Sequence, residues 1–217
     1  VSSMRGPRPV ARLTVVLQLL AVCMALMWTA GAHAERPSPD AAKSFLKDLV
    51  SMAASAMQGD GGNLAHREAV YRNLLADGFD MAFIARVSLG KHWRKISKAE
   101  RQAYVGVFSE FILKSYAPAL GGFDPANFHV NDAIERGKRD ILVQTNIVQP
   151  SGSPISAGWR IRNVEGKLQI IDIIIEGVSM ALNQRREFQG VVAKSGMSGL
   201  MEMLRARTER LSVEPPA

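Results

Sequence analysis

Apolar residues recur every three or four positions early in the chain, then every second position, then every three or four again. The first regime opens at Ser38-Pro39-Asp40, where Ser38 suits an N-cap and Pro39 the first helical position. Phe45, Leu46, Leu49, Val50, Ala53, Ala56 and Met57 hold the helical period behind it. Gly59-Asp60-Gly61-Gly62 predicts a turn, and a second helix is expected from Leu64 to Ala76 with Val70, Leu74 and Leu75 inward. A short helix after Phe79-Asp80 stops at Gly90. Ser97-Lys98-Ala99-Glu100 then reads as a capping box, in which hydroxyl and carboxylate satisfy each other's free backbone donors. The helix it opens carries Ala103, Tyr104, Val107, Phe108, Phe111, Ile112 and Tyr116 at helical steps, until Ala117-Pro118 disturbs its end.

The alternating regime begins at Phe128, Val130 and Ile134, interleaved with His129, Asn131 and Glu135. After Gly137-Lys138-Arg139-Asp140 come Ile141, Val143, Thr145 and Ile147 on one side. A further turn leads to Ile155, Ala157, Trp159 and Ile161, alternating with Ser156, Gly158, Arg160 and Arg162. Glu165-Gly166 closes the hairpin into Leu168–Ile175, whose faces carry Ile170 and Ile174 on one side and Ile171, Ile173 and Ile175 on the other. Both faces of that strand are apolar, so its second face needs an apolar partner: helices, or a hydrophobic ligand held between sheet and helices. Four strands joined by short turns predict an antiparallel meander. Helical stretches around 178–193 and 198–211 finish the chain. Helices, then strands, then helices argue for an α+β fold, with helices packed on one face of a curved antiparallel sheet.

The first 34 residues read differently. Arg5, Arg8 and Arg12 precede an uncharged run from Leu13 to Ala30, and Ala32-His33-Ala34 supplies a signal-peptidase site. The expected division is a signal peptide over 1–34, one domain over 35–211 and a Pro-rich tail over 212–217, with an uncleaved membrane anchor as the alternative for the leader, since its apolar run is nearly long enough to span. Cleavage before Glu35 leaves 217 − 34 = 183 residues and places the protein in the periplasm. The one cysteine, Cys23, falls inside the leader, so no disulfide framework is expected. The net charge of +7 loses three arginines with the leader, leaving +4. Export disfavours nucleic acid as the partner of that charge and favours anionic head groups or acidic proteins.

Catalytic signals are sparse. His66, His92 and His129 lie far apart without metal-ligand spacing, and no phosphate loop or nucleophile elbow is complete. Ser44-Phe45-Leu46-Lys47 matches a Ser-x-x-Lys pattern but lacks its companion motifs. Asp172, among isoleucines, is a candidate general base for a small-molecule enzyme, with a partly solvated or hydrogen-bonded aspartate as the plainer reading. No enzyme activity, cofactor or metal is expected.

Several blocks together resemble one family. Phe79-Asp80 through Leu89-Gly90-Lys91-His92-Trp93-Arg94 is similar to an F-D-x(8)-L-G-x-x-W-R signature, and Phe111 through Tyr116 with Leu120 to a helix ending near a tyrosine. Asp172 through Gly177-Val178-Ser179, with Asn183 and Arg185, resembles a D-(apolar)3-E-G-V-S-x-x-x-N-x-R block, and Gly196 through Leu204 a final glycine-then-leucine helix. These are the marks of the MlaC family, the periplasmic phospholipid-binding component of the Mla system, also called the toluene-tolerance auxiliary protein. The match runs from about Pro39 to Arg207, with Gln184 standing where the family often has tyrosine. The resemblance implies a nuclear-transport-factor-like cone with an additional helical part and an apolar cavity for phospholipid acyl chains. It also implies shuttling between an outer-membrane lipoprotein complex and an inner-membrane ABC transporter with an MCE-domain subunit, which maintains outer-membrane lipid asymmetry. A membrane-associated adaptor without lipid is the competing reading.

For such a cavity the expected lipid-binding wall comprises Ile171, Ile173 and Ile175 from the last long strand, and Val143, Ile147, Trp159 and Ile161 from its neighbours. Phe108, Phe111, Ile112 and Tyr116 are expected from the capped helix. Met180, Met197, Met201 and Met203 add adaptable filling, with Met180 and Met201 the foremost. Trp93 and Arg94 are expected to be structural. Arg160 and Arg162, opposite the apolar side of their strand, are the expected docking charges.

Overall fold

The computed structural model describes residues 35–56, 63–118, 124–149 and 153–213. The expected leader, the Gly59–Gly62 turn and most of the tail lie outside these. From Arg36 onward the chain makes one unit. Helix α1 spans Pro39–Ala56, and Ser38 Oγ accepts from the Ala41 amide at 3.1 Å, as an N-cap should. Helix α2 covers Leu64–Gly78, and α3 covers Met81–Leu89. Asp80 caps α3 by accepting from the Phe83 amide at 2.8 Å. Gly90 ends it with a φ of 61°, a left-handed conformation that glycine adopts at little cost. A 3-10 turn over Gly90–Lys95 follows, in which the Trp93 carbonyl accepts from Arg101 Nε at 3.0 Å. The Arg101 guanidinium also lies over the Trp93 ring, so the tryptophan is a packing element.

Helix α4 spans Lys98–Tyr116, and both hydrogen bonds of the Ser97–Glu100 capping box are present. Its apolar residues divide between two cores. Leu113 joins α1, α2 and the sheet, in a cluster holding Leu46, Leu49, Leu75, Ile141, Val143, Ile161 and Ile170. Tyr104, Phe108 and Phe111 join a second, all-helical cluster with Leu89, Phe188, Leu200 and Leu204. A helix placed between two cores buries residues on more than one stripe.

The sheet holds β1 (Phe128–Arg136), β2 (Asp140–Ile147), β3 (Ile155–Val164), β4 (Lys167–Ile175) and the short β5 (Val178–Ser179), each antiparallel to its sequence neighbour. Helix α5, Met180–Val213, breaks at Gly196, whose φ is 67°. The α+β architecture is that expected. No described helix is long and apolar enough to cross a membrane.

Two irregularities overturn simple alternation. In β1 the register shifts between Val130 and Ala133, so Phe128, Val130 and Ala133 pack inward while Ile134 is exposed. In β4 it shifts opposite Arg160 and Ile161: Ile170 pairs with Ile161, and Asp172 with Arg160. The extra residue, Ile171, has no partner in the ladder, and parity flips across it. Ile170 and Ile173 therefore share the helix-covered face, facing Ile161 and Trp159. The Phe79 carbonyl accepts from Gln169 Nε2 and the Asp80 amide donates to the Ile170 carbonyl, which fastens the α2–α3 corner to β4 beside this irregularity.

Arg160 and Arg162 are not free charges. Their Nε atoms donate to the buried Asp140 carboxylate at 2.7 and 2.6 Å. Arg162 also lies over the Phe83 ring. Together they tie β2 to β3.

Candidate functional site: an apolar cavity between sheet and helices

A cavity of about 530 Å³ lies between the sheet and the helices. On the sheet side its wall is Ile147, Trp159, Ile173 and Ile175, with Phe128 at the edge. Trp159 shows how the sheet makes that wall apolar. Its indole Nε1 donates to Thr145 Oγ1 at 3.0 Å, and that hydroxyl donates to the Ala157 carbonyl at 3.1 Å. The polar edge of the ring is thereby satisfied within the sheet, which leaves its face as hydrocarbon surface. Phe128 packs against it with ring centroids 5.8 Å apart.

The helical wall comes from four elements. Tyr71 and Leu75 belong to α2 and Phe79 caps its end, Met81, Ile84 and Ser88 belong to α3, and Met180, Ala181 and Gln184 to α5. Helix α4 supplies Phe108, Ile112 and Tyr116, four residues apart and so in line on one face. That line has a direction. Phe108 is fully buried, whereas Tyr116 is 42% exposed. The cavity thus opens beside Tyr116, where Asp124, Val148 and Gln149 are exposed, and closes against Phe108, Ser88 and Ala181.

Of the expected wall, Phe108, Ile112, Tyr116, Ile147, Trp159, Ile173, Ile175 and Met180 line the cavity. Phe111, Val143, Ile161, Ile171 and Met201 do not. Phe111 points into the all-helical core, three residues and nearly one turn from Phe108. Val143 and Ile161 lie on the correct face but under α1, where Leu46 and Leu49 fill the space. Ile171, fully buried, is the displaced residue of the β4 irregularity. Met201 packs with Met197 and Met203 against the helical core, beyond the Gly196 break.

The α2 and α3 contributions were missed. Tyr71 and Leu75, at i and i+4, carried a usable signal, but α3 is apolar nearly all round and offers no preferred face.

Asp172 borders the cavity with both oxygens engaged. Ser179 Oγ donates to Oδ2 at 2.6 Å and the Ala181 amide donates to Oδ1 at 3.2 Å. The carboxylate therefore caps the start of α5 and fixes the β4–α5 corner. Among the described residues no group of His, Cys, Asp and Glu is arranged to hold a metal. Nor does any described lysine, arginine or histidine line the cavity. Burial pushes the Tyr71 phenol well above its ordinary value, with neighbouring Tyr116 adding to the effect, so the hydroxyl stays protonated.

The family model described as MlaC protein matches residues 43–206, about three quarters of the 217-residue chain. The chain belongs to the MlaC family. An MlaC relative from Haemophilus influenzae, the intermembrane phospholipid transport system binding protein, is 26% identical over 136 residues, which is 61% of this chain. The match spans 64% of that relative, a little under two thirds of its length. A phospholipid-binding protein from Ralstonia solanacearum, solved in complex with a phospholipid, superposes with a TM-score of 0.68 at 21% identity. That superposition covers 78% of this chain and 98% of the other, and it establishes a common fold.

Proposed function

We propose that this MlaC-family chain is a phospholipid carrier of the bacterial periplasm. It would take lipid from one membrane and deliver it to another through outer- and inner-membrane Mla-type complexes, with the 1–34 segment directing export. The observation that carries the reading is the cavity: about 530 Å³, walled by aromatic and aliphatic side chains and open at one end. Its volume falls within the range of about 300–1,000 Å³ typical of sites that enclose a small organic ligand. The names of both relatives, one a phospholipid transport component and one solved with phospholipid, agree with that occupant.

The energetics explain why a carrier needs such a space. Each buried methylene is worth about 0.8 kcal/mol, so two acyl chains of roughly 30 methylenes lose on the order of 20–25 kcal/mol on entering water. A cavity that exchanges bilayer hydrocarbon for protein hydrocarbon removes most of that barrier. Tail binding then follows apolar area and is indifferent to chemistry at the far end of the head group. Asp172, held by Ser179 and the Ala181 amide, has a structural task in the same corner.

Transfer between vesicles tests the proposal. Donor vesicles carrying a labelled phospholipid and unlabelled acceptors are separated after incubation with purified chain. Label should move in proportion to protein concentration. A rate equal to the protein-free control refutes the carrier and leaves a lipid-free adaptor.

A further inference from the structure

Tyr71 and Tyr116 are the cavity's two phenols, and the function proposed above assigns them no task. Tyr116 closes α4 at the open end, and it lies near enough to Tyr71 on α2 to help push the Tyr71 phenol upward. Tyr71 is half-buried and borders the cavity, and neither hydroxyl makes a hydrogen bond to a described residue. A phenol at an apolar wall gains a hydrogen bond wherever an acceptor held in the cavity comes within reach.

The helices are fastened at this level. Glu68 and Arg72 flank Tyr71 along α2 and reach Lys114 and Glu110 of α4, at 2.6 and 2.8 Å. Two ion pairs thus hold the two phenol-bearing segments in register.

We infer that Tyr71 and Tyr116 form a neutral donor collar that recognises the ester carbonyls of a diacyl lipid, at the junction between tails and head group. The inference rests on the carrier reading and names what that site selects. Three considerations choose the carbonyl over the phosphate. With no described cation in the lining, a phosphate drawn down to the level of Tyr71 would be a buried charge without a partner. A phosphate left at the open end keeps its water. The carbonyls lie between phosphate and tails, are uncharged, and accept from phenols. The collar therefore reads the ester linkage rather than the charge of the head group.

The test is competition between two lipids that differ only in those carbonyls. Purified chain is exchanged against vesicles holding equal amounts of dipalmitoyl phosphatidylethanolamine and its dihexadecyl diether analogue, and bound lipid is extracted and quantified. The wild-type chain should favour the diester by about two- to ten-fold, the factor that one or two ordinary hydrogen bonds confer. Tyr71→Phe should bring the ratio close to one, and Tyr116→Phe should lower it partway. A purely structural tyrosine would change total uptake or stability without moving the ratio. Equal uptake of the two lipids by the wild-type chain, or a wild-type ratio kept by Tyr71→Phe, overturns the inference alone. Uptake of neither lipid overturns it together with the carrier.

Discussion

At the residue scale, the cavity depends on side chains whose polar atoms are satisfied elsewhere. Trp159 gives its N–H to Thr145 and turns a bare ring face to the cavity, opposite Ile173 across the β3–β4 ladder. A charge introduced at Ile173 would sit in that wall with no cation among the described lining residues to meet it. Ile173→Glu should therefore abolish co-purified lipid and destabilise the chain by several kcal/mol. Organic extraction and a melting curve check both, and unchanged lipid content would remove Ile173 from the wall. Ile173, Ile175 and Trp159 were legible as wall residues because period-2 alternation holds through the stretches that carry them. Ile171 was not. A single unpaired residue inverts parity along β4, and nothing in a run of isoleucines marks where it falls.

At the scale of elements, the boundaries legible in the sequence are those with a chemical signature. Ser38, the Ser97–Glu100 box, Gly90 and Gly196 each satisfy or release backbone groups in a way only a few residues can. What the helical period could not convey is that α4 serves two cores and the cavity at once, so that Phe108 reaches the cavity while Phe111, in the same helical core, does not. The partners of Arg160 and Arg162 were also hidden, since the pairing crosses a hairpin. Burial alone would raise the Asp140 carboxyl, but hydrogen bonds from Arg162 and Arg160 outweigh it and hold the group below the ordinary carboxylate range. A carboxylate whose value falls on folding contributes stability that is complete above its unfolded value, near 4, and is lost as pH drops through the folded value. Wild-type stability should accordingly fall on acidification below about pH 4. Asp140→Asn should cost about 2–3 kcal/mol at neutral pH, less than for a fully buried pair because Arg160 retains contact with water. It should also flatten the acid limb. Denaturant melts at pH 3 and pH 7 measure this, and parallel losses in the two proteins would contradict it.

At the scale of the whole molecule, the fold is an open sheet whose one face is divided between packing and space. Under α1 the sheet meets Leu46 and Leu49 and is filled. Toward Tyr116 the same face stays unfilled, and the helices line it without closing it. The α+β order could be read from the change in apolar period, because burial on one face imposes that period directly. Which part of the face would be packed and which left open could not, because that depends on where α1 lies across the strands. In a phospholipid carrier the open part holds lipid hydrocarbon. Native mass spectrometry of the chain exported to the periplasm and purified without detergent tests it most directly. The expected spectrum shows the protein carrying an added mass of one phospholipid, released on collisional activation. A spectrum of the bare polypeptide mass alone, from freshly prepared protein, would contradict the claim.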